Sequence, residues 1–160
     1  MHMVQEAIAI NEFVKEVLDK PCFGFVAGLD AAGHPEMSRC FGFNYNTEQN
    51  TLTVYTFKKD FQKMGDHLVA GDKISIALSN AQNFKTVQFK GMLNQIYDTP
   101  EQEMAIPRSC NKKQADVMAS WGIPNQVFAN WGFEQSVTVV MDVNEMYDQT
   151  PRPNAGEKIN

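Results

Sequence analysis

Apolar and polar residues alternate with period two along four stretches: "TLTVYTF" (51–57), "DKISIALSN" (72–80), "FKTVQFKGMLNQIYD" (84–98) and "SVTVVMDVNEMYD" (136–148). All are rich in β-branched or aromatic residues, and the pattern predicts strands. "CFGFVAGLDAAGHPEMSRCFGFNYN" (22–46) predicts a hairpin, with Asp30 and Gly33 supplying the turn, and "TEQN" turns the chain into 51–57. A helical period runs through "VQEAIAINEFVKEVLDKP", where Ala7, Ile10, Phe13 or Val14, and Val17 or Leu18 share one face. Pro21 ends it, because proline disfavours helix in the residue before it. Residues 60–70 predict a short helix, N-capped by Asp60 and closed by Gly71. Thr99 and Gln102 read as a capping box with Pro100 at the first helical position. "NKKQADVMASWG" reads as a further helix, capped by Asn111 and ended by Gly122. The polar, proline-bearing "QTPRPNAGEKIN" predicts a flexible tail over 150–160.

The elements follow as helix, three strands, short helix, two strands, helices, strand. Consecutive strands are antiparallel neighbours, which excludes a βαβ dinucleotide fold. Six such strands close naturally into a small barrel, leaving no open edge. The expected class is therefore mainly β with flanking helices: a six-stranded antiparallel split β-barrel domain over 1–149, with a helical insertion at about 99–122. Its 160 residues can bury a core without metal or disulfide.

Charge narrows the function. The formal net charge of -5 argues against broad contact with nucleic acid or an anionic membrane. Three cysteines, Cys22, Cys40 and Cys110, are an odd number with no C-x-x-C spacing, so neither a disulfide framework nor a zinc site is expected. The start lacks the apolar core of a signal peptide, and no apolar run nears the roughly 20 residues of a membrane helix. These features point to the cytoplasm.

Against this acidic background, Lys58, Lys59 and Lys63 crowd the start of the short helix. Helix N-termini carry unpaired N–H groups and a partial positive charge, and so suit anions. A phosphate monoester satisfies both, and Arg39 could add a bidentate grip. A solvated corner is the plainer reading of the same lysines, and Asp60 opposes an anion unless it caps. His2, His34 and His67 lie at no ligand spacing, so no metal is expected. Cys40, Trp121, Trp131 and the nine methionines read first as packing residues.

The order of elements, with "HPEMSRCFGF", "VYTFKKDFQK" and "KTVQFKG", resembles the pyridoxamine 5'-phosphate oxidase-like family of FMN-binding split barrels. The resemblance implies a homodimer with two FMN sites at its interface. It places Arg39 by the FMN phosphate and ribityl chain, Tyr55 and Thr56 beside the isoalloxazine, and Lys63, with Lys58, on the phosphate. Cys40 would lie near the flavin. Where the family has Gln-Val-Arg-Val before a glycine, this chain has Thr86 and Gln88 in the glutamine and arginine positions. The arginine- and histidine-bearing motif of the true oxidases is missing from "MYDQTPRPNAGEKIN", so oxidation of pyridoxamine phosphate is not expected. The implied activity is that of an FMN-dependent oxidoreductase passing hydride between FMN and a nicotinamide donor or another small molecule. Haem or a deazaflavin are lesser alternatives to FMN. A non-catalytic FMN- or haem-binding module, or a barrel that has lost its cofactor, is the alternative function.

Overall fold

In the computed structural model, residues 8–129 and 135–159 are described. Helix α1 (Glu12–Leu18) begins where the Asn11 side chain accepts from the Val14 N–H at 2.9 Å. Of the helix expected from residue 4, residues 4–7 lie outside the described residues and 8–11 are not helical; Val14 and Val17 carry the buried face of α1. Six strands follow: β1 (Cys22–Leu29), β2 (Pro35–Asn46), β3 (Thr51–Phe57), β4 (Lys73–Asn80), β5 (Thr86–Asp98) and β6 (Ser136–Asp148). Their order is β3-β2-β1-β4-β5-β6, all antiparallel, and β3 pairs with β6 from Thr51↔Asp142 to Phe57↔Ser136. That last pairing closes the barrel, as the strand pattern predicts.

The period-two alternation fixes what fills it. Leu52, Val54, Ile76, Leu78, Phe89, Val139 and Met141 point inward and are shielded from solvent. Each such side chain contributes roughly 1.5–3 kcal/mol of transfer free energy. Helix α2 (Lys58–Gly65) stoppers one end with Phe61 and Met64. It starts two residues before the expected position, after Phe57, with no side-chain cap. Asp60 therefore sits in the first turn and does not cap. The helix ends at Gly65, and Gly71 (φ +96°) instead makes the turn into β4, donating to the Leu93 carbonyl at 2.8 Å.

Between β5 and β6 the chain forms a 3-10 turn (Glu101–Glu103), then α3 (Ala105–Ser120) and α4 (Gln126–Ala129). No capping box forms: the Thr99 hydroxyl donates to Ser136 Oγ at 2.9 Å. Asn111 lies in the middle of α3, a single helix that runs on because Pro107 falls in its first turn, where no intrahelical N–H is needed. Gly122, at φ +82°, ends it as expected. Beyond β6, β7 (Glu157–Lys158) pairs with Tyr147 and Asp148, so the final segment folds back along the barrel. No helix among the described residues is long and apolar enough to cross a membrane.

Candidate functional site

Strand parity decides which candidate side chains can meet a ligand. On β2, Ser38 and Cys40 point inward and Arg39 outward; on β3, Thr56 points inward and Tyr55 outward. Cys40 is 2% exposed within the core, and burial pushes its thiol pKa up. Thr56 has no exposed surface; its hydroxyl donates to the Arg39 carbonyl at 2.7 Å and meets Ser38 Oγ at 2.5 Å. Both side chains are engaged inside the barrel, Thr56 with Ser38 and the Arg39 carbonyl and Cys40 in the apolar core.

Tyr55 points outward but is only 2% exposed. The 3-10 turn and α3 cover this face. A β-carbon on Gly42 would stand 3.3 Å from Cys110 Sγ and 3.3 Å from Pro107 Cα, so α3 lies directly on β2 where β2 bulges between Cys40 and Phe43. Burial first, then the nearby Glu103 carboxylate and Tyr97, push the Tyr55 phenol up to about 12. Tyr97 donates to both Glu103 oxygens at 3.2 Å, so the turn is tied to β5 by a phenol–carboxylate contact. Tyr55 is therefore not an open platform for a ring in this chain as it stands.

The three lysines separate. Lys58 Nζ holds the Asp98 carboxylate at 2.9 and 3.1 Å, and the Lys58 N–H donates to the Gln135 carbonyl at 2.9 Å. Its face of α2, with Gln62 and Asp66, turns toward Ile96, Tyr97 and Val137 of β5 and β6. Lys59 and Lys63 follow one turn apart on the surface turned away from the buried Phe61 and Met64, Lys63 in the last turn and Asp60 beside them in the first. They are exposed and, among the described residues, have no ion-pair or hydrogen-bond partner. Just past the helix, His67 Nε2 approaches the Leu29 carbonyl of β1 at 3.3 Å. Arg39 is exposed on the outer face of β2, directly opposite Phe25 of β1.

Gln88 stands on the same outer row as Arg39, but β1 and β4 intervene through Phe25 and Ala77. Three strand spacings, about 14–15 Å, separate them. Both ends of its amide are engaged, Nε2 with Ser75 Oγ at 2.8 Å and Oε1 with Gln149 at 2.9 Å. The structure thus leaves Arg39, Lys59 and Lys63 exposed on β2 and α2, engages Gln88 and Lys58 elsewhere and covers Tyr55. Phe25, 38% exposed beside Arg39, was not legible as a site residue, because only the register shows that it points outward. Leu29 and Met37 continue its apolar stripe at 52% and 62% exposure. His34 sits in its turn against Asp30, and among the described residues no group of three metal-ligating side chains converges. His2 and Trp131 lie outside the described residues. Trp121 packs against Phe84, ring centroids 5.5 Å apart.

No protein-family model matches the sequence, and no curated protein is significantly similar to it. Solved structures do match. The crystal structure of HupZ from Group A Streptococcus is 16% identical, with 92% of this chain and 100% of that chain covered, at a TM-score of 0.50. An F420 reductase is 13% identical, with 86% of this chain and 98% of that chain covered, at a TM-score of 0.53. The fold is the pyridoxamine 5'-phosphate oxidase-like split barrel. Similarity at these identities speaks for the split barrel alone. What the barrel can hold depends on Arg39, α2 and the outer face.

Proposed function

We propose that this split barrel binds FMN on the outer face of β1 and β2, with the phosphate held by Arg39, Lys59 and Lys63, and serves as an FMN-dependent oxidoreductase. One observation carries the reading. In an acidic chain, two exposed lysines without partners among the described residues lie on α2, Lys59 in its first turn and Lys63 in its last, and that helix packs against β2, the strand that carries Arg39. The phosphate end of FMN fits that set: it needs cationic donors, and three are present. Phe25, beside Arg39, offers an aromatic face for the planar ring.

The apolar stripe of Phe25, Leu29 and Met37 suits cover by a second copy of the chain, giving a homodimer whose interface completes the ring's enclosure. Bound FMN would supply the hydride-accepting chemistry. The chain's own part is to anchor the phosphate, orient the ring and exclude water; hydride transfer requires no side-chain acid or base. The burial of Tyr55 supports a second reading, a module that binds flavin without turnover.

The spectrum of the purified protein tests both. Flavin bands that bleach when NADH or NADPH is added support the oxidoreductase. Flavin bands indifferent to every donor support the module, and a Soret band would assign haem instead. A colourless protein that takes up no FMN on incubation would overturn the proposal.

A further inference from the structure

A cavity of about 430 Å³ opens between α1, β2 and α3, a volume within the range of small-molecule sites. None of Arg39, Lys59 and Lys63 lines it, so a ligand bound there would be independent of the flavin reading. Its lining is mixed: Ile10, Leu18, Pro21 and Phe43 form an apolar part together with Cys22 and Cys110, and Asn44, Tyr45 and Thr47 a polar one. Three lysines, Lys15, Lys20 and Lys113, stand around it against the single carboxylate of Asp19. Lys15 is engaged with Glu12 at 2.8 Å; Lys20 and Lys113 have no ion-pair or hydrogen-bond partner among the described residues.

The C-terminal end of α1 also borders the cavity, and a helix C-terminus repels anions. Here that effect is reduced, because three of the helix's last four carbonyls have partners. The Lys15 carbonyl accepts from the Asp19 N–H at 2.9 Å, the Glu16 carbonyl from Asn80 at 3.5 Å, and the Val17 carbonyl from the Cys22 thiol at 3.1 Å. What remains is a pocket with one apolar side and an excess of lysines in an acidic protein.

We propose that this cavity binds a small amphipathic anion: an apolar body against Phe43, Leu18 and Ile10, and a carboxylate at Lys20 and Lys113. The apolar side contributes affinity by burial, and the lysines select for charge. Long basic side chains suit this role, since their stems cover apolar surface while the ammonium groups stay wet.

Cys110 provides a built-in reporter. Cys22 and Cys40 are buried, whereas Cys110 is half-buried and lines the cavity. The test measures the rate of Cys110 alkylation by iodoacetamide, using peptide mass spectrometry, with octanoate as the probe and octanol as the uncharged control. Octanoate at ten times its Kd should slow alkylation about tenfold. The Lys20→Ala/Lys113→Ala double variant should raise the octanoate concentration needed for protection by about tenfold or more, without changing the effect of octanol. Circular dichroism, together with the continued inertness of Cys22 and Cys40, checks that the variant is folded. No protection by octanoate, equal protection by octanol, or unchanged protection in the double variant would each overturn the assignment.

Discussion

Replacing Gly91 by alanine would bring a methyl group to 1.9 Å from the Asp142 carbonyl oxygen. Ordinary contact begins at 3.4 Å, so β5 and β6 would have to part by about 1.5 Å at that point. The obstacle is backbone, and it lies where the register already shifts between Lys90 and Gly91, so no side-chain rotation relieves it. Overpacking costs roughly 1–3 kcal/mol, and a rigid obstacle places this case at about 3 kcal/mol. Gly28 is the internal control. A β-carbon there would meet Met64 Sδ at 2.9 Å, and a flexible thioether can yield, so Gly28→Ala should cost about 1 kcal/mol or less. Urea titrations followed by far-ultraviolet circular dichroism measure both. With an m-value of about 2 kcal/mol/M, Gly91→Ala should lower the midpoint by about 1.5 M at unchanged m. A Gly91→Ala midpoint within about 0.2 M of wild type, or a Gly28→Ala variant that is the weaker of the two, would refute the steric reasoning.

Thr56→Val removes a buried hydroxyl bonded to Ser38 and to the Arg39 carbonyl; it should cost about 1–3 kcal/mol in the same titration while leaving FMN affinity unchanged. Burial alone would raise the Asp148 carboxyl, but hydrogen bonds from Thr150 and the Arg152 guanidinium hold it below the usual carboxylate range. A depressed folded-state pKa contributes stability above the unfolded value, about 3.9, and that stability is lost as pH falls through the folded one. Asp148→Asn should therefore be less stable than wild type at pH 7, with the gap narrowing once pH falls below about 4; a constant gap across urea titrations from pH 6 to 3 would contradict this. Lys58→Ala should leave FMN affinity within about twofold by fluorescence titration, because Lys58 serves Asp98 in an exposed pair. Asp60→Asn should tighten FMN binding by removing the carboxylate beside Lys59 and Lys63; weaker binding would speak against a phosphate there.

Much of the fold was legible because strand alternation is a local signal. β4 alternates buried and less buried positions from Lys73 to Asn80 without a break, and β3 and β6 lie at the expected residues. The helix starts were less legible. Asn11 caps α1, yet Asp60 and Asn111, of the same chemical type, cap nothing. Cap residues only permit a helix to start; Phe61 and Met64 entering the barrel decide where α2 begins and which way it turns. Of the candidate residues, Arg39 and Lys63 are exposed, whereas Cys40 and Thr56 point into the barrel: plain alternation carries Thr56 inward with Leu52 and Val54, while the bulge that shifts β2 after Cys40 has no local signal. The covering of Tyr55 by α3 depends on Gly42 meeting Cys110 across 68 residues of chain, a contact that periodicity cannot reveal.

The grouping of Arg39, Lys59 and Lys63 as a phosphate anchor is tested most directly by the ratio of FMN to riboflavin affinity, since the two ligands differ only in that phosphate. Fluorescence titration of both, in wild type and in the Lys59→Ala/Lys63→Ala double variant, supplies the ratio. The expected result is a wild-type preference for FMN that falls about 100-fold in the variant, with riboflavin affinity nearly unchanged. Equal losses for the two ligands, or a ratio that does not move, would contradict it.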